Sequence, residues 1–167
     1  RYNALSQNWT TTNNGYRLDG NAMSALAGSE QDANVVYAAS SPKLQRPHIY
    51  RTANGGNTWR QITRDLPDRF PTDLAVDPNN DLIAYVTFGG FETSHVFRTE
   101  NGGESWEDIG QNLPDIPTWS ITVNPNNSSH LFVGNEIGVY QSVDSGKNWQ
   151  NINCLLYTSP SPRDTMS

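Results

Sequence analysis

The chain has 167 residues, of which 35% are hydrophobic and 17% charged, and its formal net charge is −6 at pH 7. This length suits one domain, or part of one, with a modest core. No run approaches the roughly 20 apolar residues that a membrane-spanning helix needs, which excludes such a span. The acidic balance also argues against a nucleic-acid-binding protein, which would present a basic face to phosphates.

Turn-forming residues are abundant along the whole chain. Glycine, proline and asparagine together make up 42 of the 167 residues, and these residues favour turns between short strands. Valine, isoleucine, tyrosine and phenylalanine occur in runs of four to six residues rather than on a helical stripe. The composition therefore predicts an all-β protein.

In chain order, one segment occurs three times, as Tyr50–Trp59, Phe97–Trp106 and Tyr140–Trp149. The tryptophans that end these segments are 47 and 43 residues apart. The sequence between them also repeats, since Asp73–Pro78 is similar to Ser120–Pro125. A fixed period of this length indicates a repeat architecture.

Each repeat predicts four strands, A to D. In the second repeat these are Leu74–Asp77, Leu82–Thr87, Val96–Thr99 and Trp106–Ile109. Four strands every 43 to 50 residues are typical of a propeller blade. A four-stranded meander that repeats without radial arrangement is the alternative. The strands predicted in the third repeat are Ile121–Asn124, Leu131–Gly134, Val139–Ser142 and Trp149–Ile152.

The repeated segment resembles the Asp-box, or BNR repeat, Ser/Thr-x-Asp-x-Gly-x-x-Trp, of sialidase-like and glycosyl-hydrolase-like proteins of secreted bacterial type. Only the third copy has the aspartate, and the other two carry asparagine. The resemblance implies a β-propeller fragment of about three four-stranded blades with Asp-box hairpins. The matching residues are Thr52, Asn54, Gly56, Trp59, Thr99, Asn101, Gly103, Trp106, Ser142, Asp144, Gly146 and Trp149.

The repeats divide the chain into successive units. Residues 1–20 are expected to be the tail of a preceding blade, 21–67 and 68–114 two blades, and 115–153 a truncated blade. Residues 154–167 break the repeat pattern, and one reverse translation of Cys154–Ser159 resembles the end of a transposase library adapter. We therefore expect a non-native, adapter-derived tail on a metagenomic fragment. A native linker rich in serine and proline is the alternative.

The box residues suit a structural role. The Asn or Asp side chain can accept hydrogen bonds from backbone amides two residues on, and glycine can adopt positive φ. The tryptophan can pack between neighbouring sheets while its N–H finds an acceptor. We therefore expect the boxes to close hairpins on the side away from any ligand.

Propellers bind through the face made by their B–C loops and the D-to-A links between blades. The residues predicted at that face are Arg46, Asp68, Arg69, Phe70, Glu92, Asp115, Trp119, Asn135 and Glu136. Glycoside hydrolysis requires two opposed carboxylates, but the sequence alone places no pair, so the catalytic residues stay unknown. The arginine cluster of sialidases is not visible, and the resemblance therefore extends to fold and not to chemistry.

No cofactor or metal is predicted. His48 and His95 recur just before strand C, and repeat packing explains them better than metal ligation does. The turn after Asp77 could suggest calcium, but a type I turn explains it as well.

The sequence therefore predicts a propeller fragment, and the resemblance implies a secreted bacterial protein that acts as a binding or scaffold module for extracellular glycan or protein. The alternative is a glycoside hydrolase of the xyloglucanase or sialidase type, with catalytic residues outside this fragment or on its loop face. An assembly-factor propeller of the photosystem type is a third hypothesis.

Overall fold

The computed structural model describes residues 2–3, 7–9 and 18–153. These residues are almost entirely strands and turns, which confirms the all-β prediction. The predicted adapter-derived tail, 154–167, lies outside the described residues. The strands are β1 (Tyr2–Asn3), β2 (Asn8–Trp9), β3 (Met23–Gly28), β4 (Val36–Ser40), β5 (Ile49–Thr52), β6 (Arg60–Gln61), β7 (Pro71–Asp77), β8 (Asn80–Phe88), β9 (Val96–Thr99), β10 (Glu107–Asp108), β11 (Thr118–Asn124), β12 (Asn127–Asn135), β13 (Gly138–Ser142) and β14 (Gln150–Asn151).

The strands form three four-stranded antiparallel sheets in sequence order. The first sheet is β3-β4-β5-β6, the second β7-β8-β9-β10 and the third β11-β12-β13-β14, while β1 and β2 pair separately. Each strand pairs with the next one along the chain, because short turns connect antiparallel neighbours. The predicted four strands per repeat are therefore present in all three sheets.

The strand bounds differ from the prediction at strand D. We expected this strand to begin at the box tryptophan, but in the second sheet only Glu107–Asp108 pair as a strand. Trp106 directly precedes the strand, and its indole N–H donates to the carbonyl of Ile62 in the first sheet, 2.8 Å away. The ladder nevertheless continues past β10, since the amide of Ile109 donates to Val96 at 3.0 Å.

The hydrophobic core lies between the sheets, in two layers. The first layer packs Tyr37 and Ile62 of the first sheet against Val86 of the second. The second layer packs Tyr85 of the second sheet against Leu131 of the third. Tyr85 and Val86 are neighbours in β8 and point to opposite faces, as strand geometry requires. The second sheet is therefore covered on both faces, which explains the continuous apolar run of β8.

The second and third boxes also contact the sheet before them. Gly103 has φ +87°, and a Cβ added there would lie 2.5 Å from Cδ1 of Ile62. Gly146 repeats the arrangement, with φ +92° and a Cβ position 2.6 Å from Cδ1 of Ile109. These glycines serve both the turn conformation and the close approach of adjacent sheets.

The antiparallel order separates the molecule into two ends. The box segments 52–59, 99–106 and 142–149 lie at one end, here called the box face. The loops 41–48, 89–95 and 136–137 lie at the other end, together with the links 62–70 and 109–117 between sheets. We call this second end the loop face.

In the part of the chain that the structure describes, no helix has the length and apolar character needed to cross a membrane.

Candidate ligand-binding face

Three exposed aromatic side chains lie on the loop face. Phe70, Phe91 and Trp119 are 48%, 58% and 50% exposed. Phe70 belongs to the link before the second sheet, Phe91 to the loop between β8 and β9, and Trp119 to the start of β11. Within residues 18–153 these are the only aromatic side chains so exposed, and a ligand that covers such side chains removes much apolar surface from water.

Trp119 is exposed because β11 has an irregularity at its start. Thr118 pairs with Asn135 and Ser120 with Gly134, so Trp119 has no partner of its own. A bulge of this kind turns a side chain away from the regular face of the sheet. The same irregularity occurs in β7, where Thr72 occupies the equivalent position, but only the third sheet carries an aromatic residue there.

In the first sheet, Arg46 ties the loop 41–48 to the link 62–70. Its guanidinium donates to the carbonyl oxygens of Arg64, at 3.1 Å, and Leu66, at 2.5 Å. Arg64 has a positive φ of 48°, and Arg46 thus stabilises an irregular turn. This predicted ligand-face residue therefore makes intramolecular hydrogen bonds with its charged group.

In the second sheet, Asp115 ties the loop 89–95 to the link 109–117. Both carboxylate oxygens accept the backbone N–H of Glu92, at 3.0 and 2.9 Å. One of them also lies 2.9 Å from Nε2 of His95. The hydrogen bond from Glu92, followed by that from His95, lowers the pKa of Asp115 below its ordinary value.

In the third sheet, an asparagine makes the equivalent connection. Asn153 accepts the amide of Val139 at 2.8 Å and donates to the carbonyl of Ile137 at 2.7 Å. The predicted residue Asn135 accepts the amide of Ile137 at 3.1 Å, which closes a short Asx turn. All three loops are therefore anchored to the chain that follows them, each by a different side chain.

The other predicted residues line the same face. Asp68 and Glu136 are exposed. Arg69 donates to the carbonyl of Asp68 at 3.0 Å, and its aliphatic part lies beside Gly90 of the next loop. The face thus combines aromatic surface with charges of both signs.

Tyr50 of β5 is a nearly buried phenol. Burial and then the charge of Asp19 raise its pKa to about 12, so this side chain stays protonated at neutral pH.

The boxes are closed by their own side chains. In the first box, the hydroxyl of Thr52 accepts the amide of Gly56 at 3.0 Å, and the side chain of Asn54 accepts the amide of Thr58 at 2.9 Å. The second and third boxes repeat both hydrogen bonds. The polar groups of the boxes therefore have partners within the turn.

The turn after Asp77 contains hydrogen bonds that explain its composition. Asp77 accepts the amide of Asn79 at 2.8 Å and the hydroxyl of Ser128 in the third sheet at 2.9 Å. Asn124 accepts the amide of Asn126 at 2.9 Å in the equivalent turn. The described residues contain no group of three His, Cys, Asp or Glu side chains suited to a metal ion.

Two features of the loop face were missed from the sequence. Phe91 was not singled out, although an aromatic residue after Gly89-Gly90 in a polar loop was a usable signal of exposure. The recurrence of His95 indicates repeat packing, whereas in the structure its ring contacts Asp115, 20 residues further along the chain. No sequence pattern indicates that pairing, because it depends on how the loop and the link fold against each other.

No protein-family model and no curated protein matches this sequence. Solved structures do match. The GH74 xyloglucanase from Xanthomonas campestris aligns over 90% of this chain with a TM-score of 0.68 and 19% identity. The GH74 enzyme from Niastella koreensis aligns over 78%, with a TM-score of 0.63 and 20% identity. YCF48 from Cyanidioschyzon merolae aligns over 84%, with a TM-score of 0.58 and 17% identity.

These likenesses establish the fold, and the three sheets are blades of a β-propeller. The chain spans 26%, 22% and 44% of the lengths of those three proteins, in the order given above.

Proposed function

We propose that this chain is part of a secreted Asp-box propeller and acts as a binding module for an extracellular glycan or protein through its loop face. The observation that carries the proposal is the position of Phe70, Phe91 and Trp119, whose exposed rings all lie on that face. Exposed aromatic side chains give a flat apolar surface with little conformational freedom, which suits the binding of an extended polymer.

The anchored loops support a binding role. Arg46, Asp115 and Asn153 each hold a loop to the neighbouring link, so the face is organised without a ligand. A preformed face loses less conformational entropy when it binds. Both carboxylate oxygens of Asp115 already accept hydrogen bonds from the backbone N–H of Glu92. Because this carboxylate serves to anchor a loop, a binding role is favoured over hydrolysis in this part of the protein.

The experiment is a calorimetric titration of the chain with a xyloglucan oligosaccharide, which measures the binding affinity. This ligand is chosen because one structural neighbour is a xyloglucanase. Trp119→Ala and Phe91→Ala should each weaken binding by roughly tenfold or more, as expected for central aromatic contacts. Val143→Ala is the matched control, since Val143 is an exposed apolar residue on the box face. Equal losses in all three variants would contradict the proposal, and an extracellular protein is the second ligand class to test if the oligosaccharide does not bind.

The alternative function is hydrolysis of the same class of glycan. Release of reducing ends by the chain alone, with loss in Asp115→Asn or Glu92→Gln, would favour that alternative. Binding without release of reducing ends would favour the binding module.

A further inference from the structure

The first two boxes contain an asparagine followed directly by a glycine, whereas the third has an aspartate at that position. The two pairs are Asn54-Gly55 and Asn101-Gly102. The backbone nitrogen that follows an asparagine can attack Cγ of its side chain, and a glycine hinders this attack least because it has no side chain of its own. Both asparagines are exposed on the box face.

In the closed boxes the nitrogen that would attack is already engaged in a hydrogen bond. The amide of Gly55 donates to the carbonyl oxygen of Asn34 at 3.0 Å. The amide of Gly102 donates to the carbonyl oxygen of Leu82 at 2.8 Å. Each acceptor belongs to the hairpin formed by the first two strands of the same sheet. The nitrogen must lose its proton in order to attack, so these hydrogen bonds oppose the reaction while the box is closed.

The side chain that would be attacked is held as well. Oδ1 of Asn54 accepts a hydrogen bond from the hydroxyl of Thr52, at 3.0 Å, and one from the amide of Thr58, at 2.9 Å. Its Nδ2 donates to the hydroxyl of Thr58 at 2.8 Å. The second box repeats all three hydrogen bonds. Cyclisation of either side chain therefore requires its box to open.

We propose that Asn54 and Asn101 are sites of spontaneous deamidation, which proceeds through the opened boxes and gives the first two boxes the aspartate that the third already has. In the first step the backbone nitrogen of the following glycine bonds to Cγ, the bond from Cγ to Nδ2 breaks, and ammonia leaves with the amide proton. Water then hydrolyses the resulting succinimide. Cleavage between Cγ and the ring nitrogen gives aspartate, and cleavage at the backbone carbonyl gives isoaspartate.

The third box shows how the aspartate product fits the turn. Asp144 accepts the amide of Asn148 at 2.9 Å and the hydroxyl of Ser142 at 2.7 Å. Asn54 accepts the equivalent two groups in the first box. The hydroxyl of Thr58 accepts from Asn54, but it can donate to a carboxylate instead. Isoaspartate adds an atom to the backbone inside the turn, so it does not fit in the same way.

The two sites differ in how firmly the glycine is held. Gly102 is buried, and a Cβ added there would lie 3.4 Å from Nε of Arg51. The carbonyl oxygen of Gly102 also accepts a hydrogen bond from Nη2 of Arg60 at 3.4 Å. Both arginines belong to the first sheet. Gly55 is half-buried, and we therefore expect Asn54 to react faster than the asparagine of the second box.

The experiment incubates the 167-residue chain in mildly alkaline water enriched in heavy oxygen, and peptide mass spectrometry follows the label at each asparagine. Both sites should react more slowly in the folded chain than in the chain unfolded by urea, by roughly tenfold or more, as expected for groups that react only after local opening. The pair Asn14-Gly15 lies outside the described residues, and its peptide is followed separately. No ligand is used and the boxes lie away from the loop face, so the outcome is independent of the proposed function.

Two variants loosen one box at a time, and the other box serves as the control. Thr52→Val removes the hydroxyl that accepts the amide of Gly56. It should raise the rate at Asn54 by roughly tenfold, which is the factor expected in the opening equilibrium when a buried hydrogen bond is lost. The rate at Asn101 should stay unchanged. Thr99→Val should have the opposite pattern, because its hydroxyl has the same role in the second box.

Thr58→Ala, at an exposed position, provides a further variant in case Thr52→Val does not fold, since it releases Nδ2 of Asn54. Asn54→Asp supplies the aspartate product directly and should melt close to the unaltered chain. Equal rates in the folded and unfolded chains would overturn the proposal. So would a faster reaction at Asn101, the same change at both sites in a variant that folds, or no label at either site in the unfolded chain.

Discussion

At the residue scale, the glycines of the second and third boxes, Gly103 and Gly146, both form the turn and contact the preceding sheet. Gly103→Ala would add a Cβ 2.5 Å from Ile62 at a φ of +87°. We expect a loss of about 2–4 kcal/mol in the free energy of unfolding, from backbone strain and overpacking together.

Gly28→Ala is the matched control, because no atom lies within 4 Å of the added Cβ and its φ is not in the left-handed region. Urea denaturation should leave this variant close to the unaltered chain. Equal destabilisation of both variants would contradict the packing of the second box on Ile62.

A second residue-scale prediction concerns the difference between the boxes. In the first box Asn54 donates to the hydroxyl of Thr58 at 2.8 Å. In the third box the direction is reversed, and Asn148 donates to the carboxylate of Asp144 at 2.7 Å. Asp144→Asn replaces the hydrogen bond to a carboxylate with a weaker one between two neutral amides and should lower the melting temperature, whereas Asp144→Asn with Asn148→Thr recreates the pair of the first box and should recover part of the loss. A double variant no better than the single one would contradict this pairing.

The same pairing makes the third box sensitive to acid. Hydrogen bonds from Asn148 and Ser142 lower the pKa of Asp144 to about 2, from an ordinary value of 3.8. Because the folded-state pKa is the lower one, Asp144 stabilises the fold above about pH 4 and this contribution is lost as the pH falls towards 2. The stability difference between the unaltered chain and Asp144→Asn should shrink over that interval in pH-dependent melting curves.

The residue types that close the box turns were predictable from the three aligned copies. Positions that keep the same type in every copy are the ones that the turn needs, and the others vary. Asn54 donates to Thr58 in the first box, whereas Asp144 accepts from Asn148 in the third. The sequence shows this only as two residue differences between the boxes, at the first and at the second position of the pair. The contact of His95 with Asp115 was not predictable, because it joins a loop to a link through tertiary structure.

At the scale of the element, strand D and the box tryptophan connect successive sheets. Nε1 of Trp149 donates to the carbonyl of Ile109 at 2.7 Å, and the side chain is buried. Trp149→Phe leaves that carbonyl without its donor, and we expect a loss of about 1–3 kcal/mol in the free energy of unfolding. Trp119→Phe should change it by less than about 0.5 kcal/mol, since Trp119 is exposed. If denaturant titrations gave Trp149→Phe and Trp119→Phe the same loss in the free energy of unfolding, the box tryptophan would not connect the sheets.

Strand order was predictable from the repeats, but strand length was not. The sequence pattern placed the start of strand D at the tryptophan, whereas pairing begins at the next residue. Strands A and B extend beyond their apolar cores, as in β7 and β8, because backbone hydrogen bonds continue through polar residues at sheet ends. Hydrophobic patterns report burial and not the full extent of pairing.

At the scale of the whole molecule, three blades follow one another and share two core layers. This arrangement places the loops 41–48, 89–95 and 136–137 and the links between sheets at one end, and every box at the other. The local turns make the box face regular, while the loops and links that form the opposite face differ from blade to blade. We therefore expect ligand recognition on the variable face and structural repetition on the regular one.

The most direct test maps backbone amide chemical shifts of the chain while xyloglucan oligosaccharide is added. The account predicts that shifts concentrate in 41–48, 89–95 and 136–137 and around Phe70 and Trp119, while 52–59, 99–106 and 142–149 stay unchanged. Shifts confined to those three box segments would contradict the assignment of the loop face as the binding surface.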